Sequence, residues 1–258
     1  MPQDISGYDV GALLYCPANA HHTVAQAVAA ERLPRPFSLA LCLEDTVRAD
    51  ALAAAEQAVE QTLRELTEAA QRRAFYHPLT FVRVRSPEQL ARLGRAYGKY
   101  RPLLTGFILP KFFIETCGAY CAVIRDLQAD GLDYFYMPVF EAPSMLPLHT
   151  RHAALAEVKA QLDALRECIL NIRVGGNDLC HVFGLRRDPG HTIYDLRPVA
   201  DVLTDLLTTF APDYLVAGPV WEYYDGPGWA EGLAQECALD RLNGFVGKTV
   251  IHPKQIPI

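Results

Sequence analysis

Three carboxylates in this sequence each follow a short apolar run of the kind that forms a strand. Glu44 follows Leu-Cys-Leu, Glu141 follows Pro-Val-Phe, and Asp178 follows Val-Gly-Gly-Asn. If these runs are parallel strands of one barrel, the carboxylates gather at the C-terminal ends of the strands, where barrel enzymes carry their chemistry. Carboxylate oxygens are ligands that Mg²⁺ prefers. The spacing therefore predicts a metal-assisted enzyme.

Apolar runs alternate with segments of helical periodicity along the whole chain. The strands are predicted at 11–16, 38–43, 79–85, 105–109, 134–140, 168–174, 213–219 and 247–251. The helices are predicted near 20–31, 48–72, 87–99, 112–129, 149–166, 195–210 and 227–242. Strict alternation favours a parallel sheet, and eight strands favour closure into a TIM (β/α)8 barrel.

The length and the even composition predict a single domain over residues 1–258. A chain of 258 residues with 50% hydrophobic content suits one α/β barrel, and no linker or repeat divides it. The last predicted strand is followed by only a short tail, so the helix that should cover this strand is missing from the given chain. Because an uncovered strand would expose an apolar face, we expect the natural protein to continue beyond Ile258.

Composition narrows the choice of partners and compartment. A net charge of -6 provides no basic surface for nucleic acid. The seven cysteines lie mostly in apolar patterns, which indicates buried thiols in a reducing compartment. The N-terminus does not resemble a secretory signal, and no apolar run approaches the length of a membrane span. We expect a cytoplasmic protein with neither nucleic-acid nor membrane partners.

Six short motifs occur in the order found in one enzyme superfamily. They are Leu-Glu-Asp-Thr-Val at 43–47, Val-Arg-Val at 82–84, Leu-Pro-Lys at 109–111, Phe-Glu at 140–141, Gly-Gly-Asn-Asp at 175–178 and Gly-Lys-Thr-Val-Ile-His-Pro-Lys-Gln at 247–255. Together they resemble citrate lyase beta-subunit-like proteins of the HpcH/HpaI aldolase and malyl-CoA lyase superfamily. The stretches at 192–195 and 217–222 are similar to a C–C bond lyase-like branch associated with tellurium-resistance-type gene clusters.

The resemblance implies a catalytic role for several motif residues. Glu141 and Asp178 match the family's ligands for Mg²⁺, with Mn²⁺ as the alternative ion. Arg83 matches the arginine that binds substrate oxygens and stabilises the enolate formed when the carbon–carbon bond breaks. Glu44 resembles a carboxylate that orients a metal-bound water, and Asp45 is expected to hold an arginine.

The resemblance also places residues around the substrate. Lys111 is expected to line the anion pocket, and Gly175 and Gly176 allow close backbone approach near the metal. Simpler interpretations exist for the charged residues. Arg83, inside an apolar run, could be a structural partner of Asp45 or Glu44, and Lys111 could be a structural ion-pair partner.

Two departures from the family pattern bear on specificity. Arg85 replaces the usual Asn after Arg-Val, and Asn177 replaces the common Glu before the metal aspartate. We expect these two residues to change which substrate head group fits.

These features predict a Mg²⁺-dependent carbon–carbon lyase or aldolase that acts through an enolate. The substrate is expected to be a small carboxylate-bearing molecule, with an acyl thioester as one form, and the protein a homo-oligomer. A pyruvate-type aldolase without coenzyme A is one alternative, although its relatives usually carry Glu-His where this chain has Glu44-Asp45. A second alternative is a catalytically idle barrel that serves as a binding or scaffold subunit of a biosynthetic complex.

Overall fold

Eight short parallel strands follow one another around a barrel in the computed structural model, which describes residues 5–258. Along the sheet their order is β7-β6-β5-β4-β3-β2-β1-β8. The strands are β1 (Ala12–Pro17), β2 (Ser38–Cys42), β3 (Thr80–Arg83), β4 (Leu104–Leu109), β5 (Phe135–Phe140), β6 (Ile172–Val174), β7 (Val216–Ala217) and β8 (Lys248–Val250). The predicted TIM barrel is confirmed, and each predicted strand overlaps one observed strand.

The helices lie between successive strands. They are α1 (His21–Ala29), α2 (Leu52–Arg72), α3 (Pro87–Ala96), α4 (Cys117–Ala129), α5 (Leu148–Asp163), α6 (Gly176–Val182), α7 (Arg197–Phe210) and α8 (Trp229–Asn243). The short helix α6 was not predicted, because its two leading glycines read as a turn. After β8 the described residues form only a 3-10 turn at Pro253–Gln255. None of the helices in residues 5–258 is long and apolar enough to cross a membrane.

The strands are apolar on both faces because each face meets a separate core. Side chains that point outward pack against the helices in one large cluster. Side chains that point inward fill the part of the barrel away from the C-terminal ends of the strands. They form a second cluster of Val10, Leu13, Ala40, Phe81, Ile108, Met137, Val139 and Leu170. This filling leaves polar side chains room only towards the C-terminal ends of the strands.

The barrel closes between β7 and β8, which have two and three residues. A single bridge joins Gly218 to Lys248, with a hydrogen bond of 3.0 Å from the Gly218 N–H to the Gly247 carbonyl oxygen. The Val246 N–H donates to the Val216 carbonyl oxygen at 2.8 Å. The seam therefore has few backbone hydrogen bonds.

Buried ion pairs reinforce this part of the barrel from outside. The Lys248 ammonium of β8 contacts Glu236 at 2.9 Å and Asp240 at 2.7 Å, both on α8. The Tyr194 hydroxyl also donates to Asp240, at 2.7 Å. Because these groups are buried, α8 is fixed to β8 by paired charges as well as by apolar packing.

Gly106 of β4 provides a test of the strand packing. A Cβ at Gly106 would overlap the backbone carbonyl of Phe135 on the neighbouring strand. We expect Gly106→Ala to lower the free energy of unfolding by about 3 kcal/mol, because a packed sheet cannot move aside. Gly118→Ala, at an exposed position of helix α4, is the matched control and should raise stability by about 0.5–1 kcal/mol. Urea denaturation measures both, and equal effects of the two changes would contradict the assigned strand contact.

Candidate active site

A single buried arginine joins three carboxylates at the C-terminal end of the barrel. Nη2 of Arg83 lies 2.9 Å from Glu44 and 2.8 Å from Glu141, and Nη1 lies 2.8 Å from Asp45. Arg83 ends β3, Glu44 and Asp45 follow β2, and Glu141 follows β5. The parallel register, with Cys42 of β2 opposite Arg83, brings these strand ends together. The structural pairing of Arg83 with Glu44 and Asp45 is thus present, and Glu141 is added to it.

Lys111 binds two of these carboxylates from β4's side. Its ammonium lies 2.6 Å from Oε1 of Glu44, and its backbone N–H donates to Oε1 of Glu141 at 3.0 Å. The backbone of Lys111 has a φ of 49°, which is unfavourable for a residue with a Cβ by about 1–2 kcal/mol. This conformation turns the N–H towards Glu141, so the backbone helps to position that carboxylate.

The two glycines before Asp178 have different surroundings. A Cβ at Gly175 would overlap the Glu141 carboxylate, so only glycine leaves that carboxylate its position. A Cβ at Gly176 would lie 2.7 Å from side-chain atoms of Ile193 and Pro219, which places Gly176 in the packing behind the site. Close approach at Gly175 therefore serves Glu141, while Gly176 serves the docking of α6.

Asp178 lies in the first turn of α6 and faces the same cavity as Glu141. Its carboxylate has no hydrogen bond or ion pair with the described residues. Burial raises its pKa, and the nearby charge of Asp45 raises it further, although Lys111 and Arg83 oppose this. Asp178 is therefore a negative group without a protein cation of its own.

Glu141 is the most strongly perturbed carboxyl group of the site. Its side chain is 4% exposed, and burial raises its pKa to about 7. Arg83 lowers this pKa, while repulsion from Asp178 and Glu44 raises it. Oε1 accepts bonds from Arg83 and Lys111, but Oε2 has no donor among the described residues. One oxygen is thus held in place and the other is available.

The cavity that these groups surround has a volume of about 340 Å³. Its lining includes five of the residues predicted for the site, namely Asp45, Arg83, Glu141, Gly175 and Asp178. Glu44, Lys111 and Gly176 are not in the lining of this cavity. Glu44 contacts Arg83, and the backbone N–H of Lys111 binds Glu141.

The donor set suits a hard divalent cation at one place in the cavity. Oε2 of Glu141 and the carboxylate of Asp178 are oxygen donors without a partner among the described residues, and the buried Oδ1 of Asn177 has no hydrogen-bond partner. Within residues 5–258, however, no group of three or more His, Cys, Asp or Glu side chains is arranged to hold a metal ion. Glu44 lies at the same end of the barrel but is bound to Arg83 and Lys111. The assignment of Glu141 and Asp178 as metal ligands stays a prediction. Water or substrate oxygens would have to complete the coordination of a bound ion.

Arg85 has a different role from the one expected for it. Its side chain donates to the carbonyl oxygens of Leu43 at 2.6 Å, of Glu44 at 3.1 Å and of Val47. It is absent from the cavity lining, whereas Asn177 is part of it. Arg85 therefore fixes the loop that carries Glu44 and Asp45, and an effect of Arg85 on the substrate head group stays a prediction.

Sequence reasoning missed three polar residues that line the cavity. They are Tyr15 of β1, Arg173 of β6 and Thr249 of β8. Tyr15 places its ring 5.7 Å from the guanidinium carbon of Arg83. Arg173 showed the same signal as Arg83, an arginine inside an apolar run, and could have been found by it.

Carboxylates and arginines gathered at the C-terminal mouth of an eight-stranded parallel barrel define the class of TIM-barrel enzymes. Within that class, the family model of C–C bond lyases of the TIM-barrel fold matches residues 4–258, and the chain belongs to this family. The predicted similarity to a C–C bond lyase branch is confirmed. No curated protein matches the chain in sequence.

Several solved structures share the fold. The citrate lyase beta subunit of M. tuberculosis, complexed with oxaloacetate and magnesium, is 23% identical with a TM-score of 0.65, over 98% of this chain and 96% of that one. Protein CitE of M. tuberculosis, with magnesium, acetoacetate and coenzyme A, is 23% identical with a TM-score of 0.65, over 97% and 79%. RipC from Yersinia pestis is 17% identical with a TM-score of 0.64, over 98% and 94%.

The raised pKa of Glu141 predicts a pH dependence of stability in the metal-free protein. The pKa of an ordinary Glu is 4.5, and that of Glu141 in the folded protein is about 7. The folded protein therefore binds the proton more tightly than the unfolded chain does, and protonation stabilises the folded state. This contribution, about 3 kcal/mol, is complete below pH 4.5 and is lost as the pH rises through 7. Glu141→Gln should therefore gain stability relative to the parent across this interval. Urea denaturation in a chelator at pH 5 and pH 8 measures the difference, and a constant difference would contradict the assigned pKa.

Proposed function

We propose that this protein is a Mg²⁺-dependent carbon–carbon lyase that acts on a small carboxylate-bearing substrate through an enolate. The proposal depends above all on one observation. Arg83, the unpaired Oε2 of Glu141 and the unpaired carboxylate of Asp178 face the same cavity at the C-terminal end of the barrel. A guanidinium and a cation site around one cavity suit a reaction that develops negative charge on oxygen.

Ligands in the related structures support this choice of substrate and ion. The citrate lyase beta subunit of M. tuberculosis holds oxaloacetate and magnesium, and CitE holds acetoacetate, magnesium and coenzyme A. A small oxoacid fits a cavity of about 340 Å³. An acyl thioester would have to extend from the cavity towards solvent, and this form of the substrate remains a prediction. Homo-oligomeric assembly and a cytoplasmic location are likewise predictions.

Glu141 and Asp178 would hold the ion, Mg²⁺ or Mn²⁺. When bound, the ion would supply Lewis-acid polarisation of the substrate's carbonyl group. Glu141 would bind through Oε2, because Oε1 is held by Arg83 and the Lys111 backbone. Since Gly175 has no side chain, this carboxylate can keep its position beside the substrate.

Arg83 is placed to stabilise the charge that forms when the carbon–carbon bond breaks. Glu44 and Glu141 hold Nη2 inside the protein, while Asp45, which is half exposed, contacts Nη1. A substrate oxygen can replace Asp45 at Nη1 with little rearrangement. The guanidinium would then donate to the enolate oxygen, and its charge is worth most there because the site is largely shielded from water.

Asp178→Asn tests the proposed metal site. Asparagine keeps the size of the side chain but removes the charge that attracts a divalent ion. We expect the parent to melt at a higher temperature in Mg²⁺ than in chelator, and the variant to lose most of this increase. Its carbon–carbon lyase activity should also fall by a factor of at least about 100, as expected when charge stabilisation of a transition state is lost.

Asp201→Asn, on the exposed side of α7, is the matched control and should keep the parental response to Mg²⁺. Activity is followed as release of an acetyl unit or pyruvate from 3-hydroxyacid thioesters and from free 4-hydroxy-2-oxoacids. If Asp178→Asn gains as much from Mg²⁺ as the parent does, Asp178 is not a ligand. The catalytically idle barrel would then be the better interpretation.

Arg83→Lys tests the role of the guanidinium separately from its charge. Lysine cannot contact Glu44, Glu141 and Asp45 at once, because it lacks the planar fork of donors. We expect turnover to fall by a factor of about 100 and the apparent melting temperature to drop. Steady-state kinetics and a thermal melt measure these effects, and a variant with parental turnover would exclude Arg83 from the reaction.

A further inference from the structure

Arg173 of β6 is a buried arginine without a carboxylate partner. It is 2% exposed and lines the same cavity as Glu141 and Asp178. Nη2 donates to the Thr249 hydroxyl at 2.7 Å, and Nη1 lies 3.5 Å from Oδ1 of Asn171. Nε is buried and has no hydrogen-bond partner. No Asp or Glu of the described residues lies within 4.0 Å of its guanidinium nitrogens.

The other buried arginines are compensated. Arg83 contacts three carboxylates, Arg151 lies 2.8 Å from Asp205, and Arg187 lies 3.5 Å from Glu236. Among the four buried arginines in residues 5–258, Arg173 alone lacks such a partner. Burial lowers the pKa of its guanidinium and so opposes its charge. An uncompensated buried charge costs several kcal/mol, so this arginine requires an anion that the described part of the protein does not supply.

The surroundings of Arg173 can receive such an anion. The Thr249 hydroxyl, already in contact with Nη2, also lines the cavity, and Tyr15 lines the same cavity. Gly175 directly follows β6, two residues after Arg173, so the two Cα atoms are about 7 Å apart in an extended chain that rises about 3.3 Å per residue. Gly175 abuts the Glu141 carboxylate. The cavity therefore carries a cation site at its mouth and a cationic group deeper in the barrel.

We propose that Arg173, with Thr249 and Tyr15, forms a second anion subsite that binds the far carboxylate of a small dicarboxylate substrate. This inference rests on the proposed function, in which the other end of the substrate lies beside Glu141 and Asp178. With C–C bonds of about 1.5 Å, a chain of about four carbons can span the two positions. A carboxylate fits better than a phosphate dianion, because Arg173 offers a single uncompensated positive charge.

The test compares two ligands that differ only at the far end. Malate and 2-hydroxybutyrate share a four-carbon 2-hydroxyacid, and only malate has the second carboxylate. Calorimetric titration in Mg²⁺ should give the parent a Kd for malate about 10–100 times lower than for 2-hydroxybutyrate, the range expected for a charge-assisted contact. In Arg173→Gln this preference should disappear, while the affinity for 2-hydroxybutyrate stays within about threefold of the parent.

Two controls separate binding from folding. Arg151→Gln removes another buried arginine, remote from the cavity, and should keep the preference for malate. Thermal melts of the ligand-free proteins add a second measurement, because Arg173→Gln should match or exceed the parental melting temperature if the arginine is kept for a ligand. If Arg173→Gln does not fold, Thr249→Val decides the question, with an expected loss of about threefold to tenfold in the preference.

The same titrations with succinate and butyrate in a chelator separate this proposal from the proposed function. Succinate binding that depends on Arg173, in a protein that neither responds to Mg²⁺ nor cleaves carbon–carbon bonds, would support the subsite and reject the lyase. The subsite is overturned if the parent binds both members of each pair equally. It is also overturned if Arg173→Gln keeps the preference, or if no ligand binds in either condition.

Discussion

The arrangement of the site depends on the buried guanidinium of Arg83. Three carboxylates from the ends of β2 and β5 would repel one another in a space largely closed to water, and Arg83 is the charge that keeps them together. Burial opposes the charge of Arg83, but Glu141, Tyr15 and Glu44 hold its pKa well above the usual value. The free oxygen of Glu141 therefore has a defined position before any ligand arrives.

Charge is distributed unequally along the cavity. At the mouth, Arg83 and Lys111 are outnumbered by Glu44, Asp45, Glu141 and Asp178, so this end attracts a cation. Deeper in the barrel Arg173 has no compensating carboxylate among the described residues, so that end attracts an anion. An elongated ligand with a chelating head and an anionic tail satisfies both ends at once. The orientation of the ligand would then follow from electrostatics rather than from shape alone.

The sequence predicted the barrel well and the site only in part. Apolar periodicity located all eight strands because each strand is buried on two faces, and strand ends located Glu141 and Asp178 at the cavity. The direction in which each arginine side chain points was harder to infer. Arg83 and Arg173 both occupy apolar runs, but family motifs mark only the first. Arg85 also sits beside a motif, yet its side chain turns to backbone carbonyls, a contact that spacing alone does not reveal.

Few backbone hydrogen bonds join β7 to β8, so the barrel should open locally more easily there than at its longer junctions. β7 has two residues, and the seam is held by a few backbone bonds and by the Lys248 pairs with α8. Transient separation there breaks fewer backbone bonds than separation at the longer β1–β2 junction, which pairs five residues on each strand. Amide protons at the seam should therefore exchange with solvent sooner than those of β2. Since Thr249 lies on β8, such openings would loosen the deep end of the cavity while Arg83 and its carboxylates stay in place.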